Sequence, residues 1–307
     1  MSRIHEALKK AEQERAASQG GQVESSPAVE MPAEQVPSFQ STVTTENVPS
    51  MPAASMPAFS TQVTADTLLA RCAQVNWNPD PKVMLFATGD DQKSGTEEFR
   101  TLRSRLYHLR ENGSLKKLLI TSALPKEGKS FVAANLAQAL VRQHGRRVLL
   151  IDADLRSPRL HQSFGTEASP GLVNYLTGET DEFSIIQRGQ IENLYFLPGG
   201  RAVANAPELV ANGRLRMLLQ RVEPLFDWIV LDSPPAVPVA DASQLAKYCD
   251  GVLMVVRSNV TPTDMARRAR QEFNDNQLVG MVLNGISEDS VDYYSRYYYG
   301  TAESKEA

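Results

Sequence analysis

The sequence predicts an α/β fold, a mainly parallel sheet flanked by helices on both faces. Three observations predict it. Short, continuously apolar runs recur between helix-like stretches; a glycine-bearing loop joins one such run to the following helix; and two later runs each end on aspartate. Strands that are apolar throughout are buried on both sides, which is the condition of a parallel sheet covered by helices.

The chain has 307 residues, 42% of them hydrophobic, and a mean hydropathy of −0.31. Those apolar residues are unevenly spread. Residues 1–16 read as a short amphipathic helix, with Ser2 as its N-cap and Ile4, Ala7, Leu8 and Ala11 on one face. That helix is either a docking peptide or a solvated end. Residues 17–64 are mostly Pro, Ser, Thr, Gln, Ala and Val, with few large apolar side chains. Such a stretch cannot bury enough surface to offset its ordering entropy, so it reads as a disordered linker. The folded domain spans 65–286. Its strand-like runs lie at 117–122, 147–152, 193–197, 228–232, 251–257 and 279–284; helix-like stretches lie at 96–110, 129–144, 207–222, 240–248 and 263–274. The last stretch, 287–307, loses the apolar pattern and reads as a mobile tail.

Composition excludes several classes. A net charge of −4 and a pI near 5.7 give no global electrostatic support for coating nucleic acid. Cys72 and Cys249 are far apart and outside any metal-ligand spacing, which fits a reducing cytoplasm. The charged N-terminus lacks the apolar core of a signal peptide. The longest apolar runs fall far short of the ~20 residues that a membrane-spanning helix needs. The expectation is a cytoplasmic chain that reaches the membrane only through a partner.

The segment Ala123-Leu-Pro-Lys-Glu-Gly-Lys-Ser130 follows a strand and opens a helix. It has the form of a P-loop, with Ala123 where the usual pattern has its first glycine. Backbone N–H groups of such a loop and of the helix N-terminus converge on phosphates. Pro125, Lys126, Glu127, Gly128, Lys129, Ser130 and Phe131 are therefore the candidate ATP-binding residues. Gly128 can adopt torsions a larger residue resists. Lys129 would reach the β- and γ-phosphates, and the Ser130 hydroxyl would ligate Mg²⁺.

Two strand-end carboxylate sites extend the case. The run Val148-Leu-Leu-Ile-Asp-Ala-Asp-Leu-Arg156 supplies Asp152 and Asp154, and Trp228-Ile-Val-Leu-Asp-Ser-Pro-Pro235 supplies Asp232. In an open parallel sheet the ligand sits beyond the carboxyl ends of the strands, where all three motifs project. A lone strand-end Asp is usually a cap; three motifs in this order imply ATP with Mg²⁺.

These residues resemble the bacterial tyrosine kinase family that regulates capsule and exopolysaccharide synthesis. The loop, the Asp152–Asp154 segment and the Asp232 segment are similar to its Walker A, A′ and B motifs. The resemblance runs on through Gly171-Leu-Val-Asn-Tyr-Leu-Thr-Gly178, Leu197-Pro-Gly-Gly200 and Asn205-Ala-Pro-Glu-Leu209. It implies a P-loop NTPase fold and tyrosine autophosphorylation. By the resemblance, Asp152 is the candidate base or Mg²⁺-linked carboxylate with Asp154 assisting, and Asp232 holds Mg²⁺ directly or through water. Which of Asp152 and Asp154 is the base stays open. Asn284 resembles an adenine-contacting position; an Asn-Gly turn is the alternative.

Five tyrosines, Tyr293, Tyr294, Tyr297, Tyr298 and Tyr299, crowd the tail. They fit neither helical nor strand periodicity well, and a mobile tail is what an active site can capture. The resemblance makes them the phosphoacceptors; an aromatic packing patch is the alternative. Glu97, Arg100 and Arg103 stand at three-residue spacing along one helix face, which alone reads as a solvated ion-pair face. The resemblance makes them the interface of a ring-like homo-oligomer, in which each tail enters a neighbour's site. It also implies a separate, membrane-anchored polysaccharide co-polymerase or activator that brings the kinase to the inner face of the plasma membrane. A cognate tyrosine phosphatase is a further candidate partner.

Two other readings compete. One is a switch ATPase like the partitioning and division-site ATPases, which phosphorylates no protein. Those carry a signature lysine where this chain has Leu124, and the tyrosine tail also speaks against the switch. The other is an assembly subunit that holds nucleotide for structure only, against which stand Lys129, Ser130, Asp152 and Asp232.

Overall fold

The computed structural model describes residues 64–86, 95–111, 113–143 and 145–286. The helix expected at 1–16, the linker at 17–64 (but for Thr64) and the tail at 287–307 lie outside the described residues. Eight strands form the sheet: β1 (Ala73–Gln74), β2 (Lys117–Ser122), β3 (Val148–Asp152), β4 (Gln187–Arg188), β5 (Leu194–Leu197), β6 (Trp228–Asp232), β7 (Gly251–Arg257) and β8 (Leu278–Asn284). Their order is β1-β4-β5-β3-β6-β2-β7-β8, and among the described residues only the β4–β5 pairing is antiparallel. The expected mainly parallel sheet is present.

Side-chain alternation along the strands explains why both faces are covered. Leu119, Leu149, Ile151, Ile229 and Leu231 enter one buried cluster, while Leu118, Ile120, Leu150 and Val230 enter the other. The second cluster is covered by α2 (Thr96–Glu111) and α3 (Lys129–Val141), which follow α1 (Ala65–Arg71) in the chain. α2 contributes Phe99 and Leu106; α3 contributes Val132, Leu136 and Leu140. α4 (Leu160–Phe164) adds Phe164, stacked on Phe196 of β5 at 4.5 Å between ring centroids. The first cluster is closed by α5 (Leu172–Thr177), α6 (Glu182–Ile185), α7 (Ala206–Ala211), α8 (Arg214–Val222) and α9 (Asp241–Ala246). α10 (Thr263–Gln271) sits between β7 and β8 in sequence and buries only Ala269 of its own residues.

The one helix expected at 207–222 is two. Gly213 takes a left-handed φ of 83°, and Asn212 is fixed on both sides of the break. Its Oδ1 accepts from the Arg214 N–H at 2.9 Å, and its Nδ2 donates to Leu176 O at 3.0 Å. An Asn-Gly pair supplies the turn chemistry that ends the first helix.

Register is what makes a site. Asp152 pairs with Asp232 across β3 and β6, and Ile120 of β2 pairs with Asp232 from the other side. The carboxyl ends of β2, β3 and β6 therefore meet at one edge, with the loop before α3 leaving from the same place.

Candidate active site

The loop between β2 and α3 is left-handed at two positions, Lys126 (φ 66°) and Gly128 (φ 95°). A side chain at position 128 would run into Asn284 Nδ2, so the position requires glycine for space as well as torsion. Two donors fix the loop's carbonyls: Asn284 Nδ2 reaches Glu127 O at 2.9 Å, and Arg257 Nη1 reaches Lys126 O at 3.2 Å. Because a trans peptide sets its N–H opposite its C=O, fastening these two carbonyls turns the N–H groups of Glu127 and Gly128 the other way. Such an arrangement of successive N–H groups favours a bound anion.

Lys129 opens α3 and reaches across to the strand ends. Its Nζ donates to Asp154 Oδ2 at 2.8 Å, lies 3.8 Å from Asp232 Oδ1 and stands 3.4 Å from Ser130 Oγ. Burial disfavours its charge, but Asp232 and Asp154 outweigh that and hold its pKa above the usual lysine value. Asp152 is fully buried and pins the segment that follows β3. Its Oδ2 accepts from the Arg159 and Leu160 N–H groups, both at 3.0 Å, and its Oδ1 from the Asp154 N–H at 3.3 Å. Asp154 Oδ1 accepts from the Ser157 N–H at 3.1 Å.

Three carboxylates thus share one lysine, and Asp152 and Asp232, the two most deeply buried, titrate above their ordinary range. Burial, then the charge of Asp232, pushes Asp152 up to about 8. Burial pushes Asp232 up to about 6, against the pull of the Lys129 ammonium and the Ser130 hydroxyl. Asp232 Oδ1 is buried without a hydrogen bond. A buried, unsatisfied carboxylate oxygen in a site with too few cations is chemically what a divalent ion with oxygen preference relieves. The residues fit Mg²⁺, with Asp232 and Ser130 as the groups that would hold it.

A second ion pair braces the same rim. Arg156 meets Asp241 at the start of α9 through two bonds, Nε to Oδ2 at 2.7 Å and Nη2 to Oδ1 at 3.1 Å. The bidentate fork fixes the segment after Asp154 against the covering helix.

A family model described as an AAA domain matches residues 126–264. The tyrosine-protein kinase YwqD of Bacillus subtilis (strain 168) is 32% identical over 223 residues, which cover 72% of this chain and 92% of that protein. The chain belongs to the bacterial tyrosine kinase family. The tyrosine-protein kinase wzc of Salmonella typhimurium is 31% identical over 217 residues, 70% of this chain but only 30% of wzc. Among solved structures, the kinase domain of Escherichia coli tyrosine kinase ETK matches with a TM-score of 0.61 at 29% identity, over 66% of this chain and 80% of that one.

The kinase fold brings Lys129, Ser130, Asp152, Asp154 and Asp232 together, as the motifs imply. It gives other residues different surroundings. The Glu127 side chain is buried in the loop's own framework, and the Asn284 amide donates to the loop carbonyl of Glu127. Arg100 pairs with Glu97 within α2, and Arg103 Nη1 donates to Ala139 O of α3 at 3.0 Å. Glu97 keeps the most open side chain of the three, and the tail tyrosines lie outside the described residues. Arg257 and Thr261 at the phosphate loop, and the Arg156–Asp241 pair, escape a reading of the sequence. Arg257, Thr261 and Asp241 belong to no motif, Arg156 ends the Asp152–Asp154 segment without a partner that the sequence names, and only the fold brings them together at this edge.

Proposed function

We propose that this kinase transfers the γ-phosphate of ATP to its own C-terminal tyrosines in trans, and that the transfer regulates exopolysaccharide or capsule synthesis and export. The observation that carries the reading is the cluster of Lys129 with Asp152, Asp154 and Asp232 beside a P-loop, in a chain that also bears Tyr293, Tyr294, Tyr297, Tyr298 and Tyr299.

The chemistry follows from positions. The Glu127 and Gly128 N–H groups and the Lys129 ammonium receive the phosphates, holding the γ-phosphoryl group in line for attack. Ser130 and Asp232 would hold Mg²⁺, which when bound would supply positive charge to offset that of the phosphate oxygens. The Asp152–Asp154 pair supplies the acceptor for the phenol's proton, and burial, then the charge of Asp232, raises the basicity of Asp152. The P–O bond to the leaving ADP breaks as the tyrosine oxygen bonds to phosphorus.

A ring built through Glu97, Arg100 and Arg103 would present each tail to a neighbour. Each phosphotyrosine adds about −1.5 to −2 charges, so a filled tail is repelled from a site already rich in carboxylates. A membrane-anchored polysaccharide co-polymerase would recruit the ring to the inner face of the plasma membrane, and a tyrosine phosphatase would reset it. The test is a mixing experiment. Chains with Lys129→Met but intact tails are incubated with ATP, Mg²⁺ and chains whose five tail tyrosines are Phe. Phosphate on the Lys129→Met chain supports transfer in trans; none, with wild type labelled normally, overturns it.

A further inference from the structure

Glu127 is a charged residue in a loop that receives a triphosphate, where a carboxylate is electrostatically unfavourable. It is buried nonetheless, and both its oxygens are engaged. Oε2 accepts from the Leu124 N–H at 2.8 Å, closing the loop on itself. Oε1 accepts from the Thr261 hydroxyl, which comes from the turn between β7 and α10. Thr261 Oγ1 in turn accepts from the Arg257 N–H at 2.8 Å, and Arg257 reaches the loop a second time through Lys126 O. Ser258 N–H donates to Asn284 O at 2.8 Å, so the turn is tied to β8 as well, and β8 reaches the loop through the Asn284 amide.

We propose that Glu127 and Thr261 are a positioning pair for phosphoryl transfer: through them the turn after β7 is fastened to the phosphate loop and holds it in its anion-receiving shape. The proposal deepens the kinase reading. Neither residue needs to touch the reacting atoms. Without the pair, the left-handed torsions at Lys126 and Gly128 lose a support on the β7 side, and the loop must be ordered at the moment ATP binds. A loop that is ordered beforehand binds tighter, because that ordering cost is removed from the binding step. The Thr261 hydroxyl is the part that can be tested cleanly, since it lies outside the loop and its removal leaves the charge of the site unchanged.

The experiment uses the full chain with Mg²⁺ and measures the ATP dissociation constant by calorimetry. KM and kcat for phosphotransfer and the melting temperature are measured beside it. The variants are Thr261→Val, which keeps the shape without the hydroxyl; Thr261→Ala, which guards against a packing failure of Val; and Thr261→Ser, which restores the hydroxyl. A charge-assisted hydrogen bond lost at the loop is expected to weaken ATP about tenfold in both Val and Ala, with a matching rise in KM. Thr261→Ser is expected to bind ATP close to wild type, and all three to melt near the wild-type temperature. Wild-type ATP affinity in Thr261→Val and Thr261→Ala overturns the proposal, as does a Thr261→Ser variant as weak as Thr261→Val. A loss of affinity that merely tracks the melting temperature also overturns it. ATP binding is read directly, so the outcome does not depend on whether the tail is the acceptor.

Discussion

Lys129 Nζ donates to Asp154 Oδ2 at 2.8 Å, so the lysine that would hold ATP's phosphates is already paired to a carboxylate of the same site. A triphosphate competes with Asp154 for that ammonium. On the kinase reading proposed above, capture of the ammonium by phosphate would free Asp154 Oδ2 to accept a proton, while Oδ1 keeps the Ser157 N–H.

This exchange has opposite effects on binding and chemistry. Asp154→Asn removes the competing charge and is expected to tighten ATP binding by about tenfold, the worth of a charge-assisted hydrogen bond. The same change is expected to slow tyrosine phosphorylation by about 10²-fold or more, the usual contribution of a positioned acid or base. Calorimetry and single-turnover labelling on the same preparation check both; weaker binding together with slower chemistry would count against the exchange.

Burial, reinforced by the crowding of carboxylates, sets a pH dependence. Asp152 has a folded-state pKa of about 8, above its ordinary value of 3.8, so between these pH values the folded protein holds more protons than the unfolded chain. The stability of the protein without nucleotide or Mg²⁺ should therefore fall as pH rises through that window, by at most about 1.4 kcal/mol per pH unit for one group. Asp152→Asn should flatten the slope. Urea titrations at several pH values measure it, and a slope unchanged by the substitution would contradict the assignment.

At Gly128 both torsion and space forbid a side chain. Gly128→Ala is expected to cost about 1–3 kcal/mol of stability through the strained torsion and to displace the Asn284 amide from Glu127 O. ATP binding should fall below detection at concentrations that saturate the wild type. A thermal melt and a titration suffice, and near-normal ATP affinity would mean the loop tolerates another shape.

On α2, Glu97 has a side chain 73% exposed and its ion pair with Arg100 is a surface one. Glu97→Arg should therefore change stability by no more than about 1 kcal/mol. If this helix joins subunits, the same substitution should lower the mass seen by light scattering. An unchanged oligomer would remove Glu97 from the interface.

Much of the fold and of the site is legible in the amino-acid sequence. β2, β6 and β7 can be read to the residue because they are continuously apolar between polar ends, and the P-loop and strand-end aspartates name the edge where they meet. The two-residue strands β1 and β4 carry no periodicity to read, and α4, α5 and α6 are too short for a helical stripe to stand out. The split at Asn212–Gly213 has a local signal in the dipeptide itself. The support of the loop by Thr261, Arg257 and Asn284 is hidden for a different reason: it depends on β7 lying beside β2 and β8 beside β7, a tertiary fact that no local pattern encodes. Glu127 likewise has the place of a phosphate contact in the motif, while its side chain serves the loop's framework.

The most direct test of the central claim is intact mass with phosphosite mapping after incubation with ATP and Mg²⁺, for wild type and Lys129→Met. The account expects phosphate on Tyr293, Tyr294, Tyr297, Tyr298 or Tyr299 in wild type and none in Lys129→Met. Equal labelling of the two chains, or labelling confined to sites outside the tail, would contradict it.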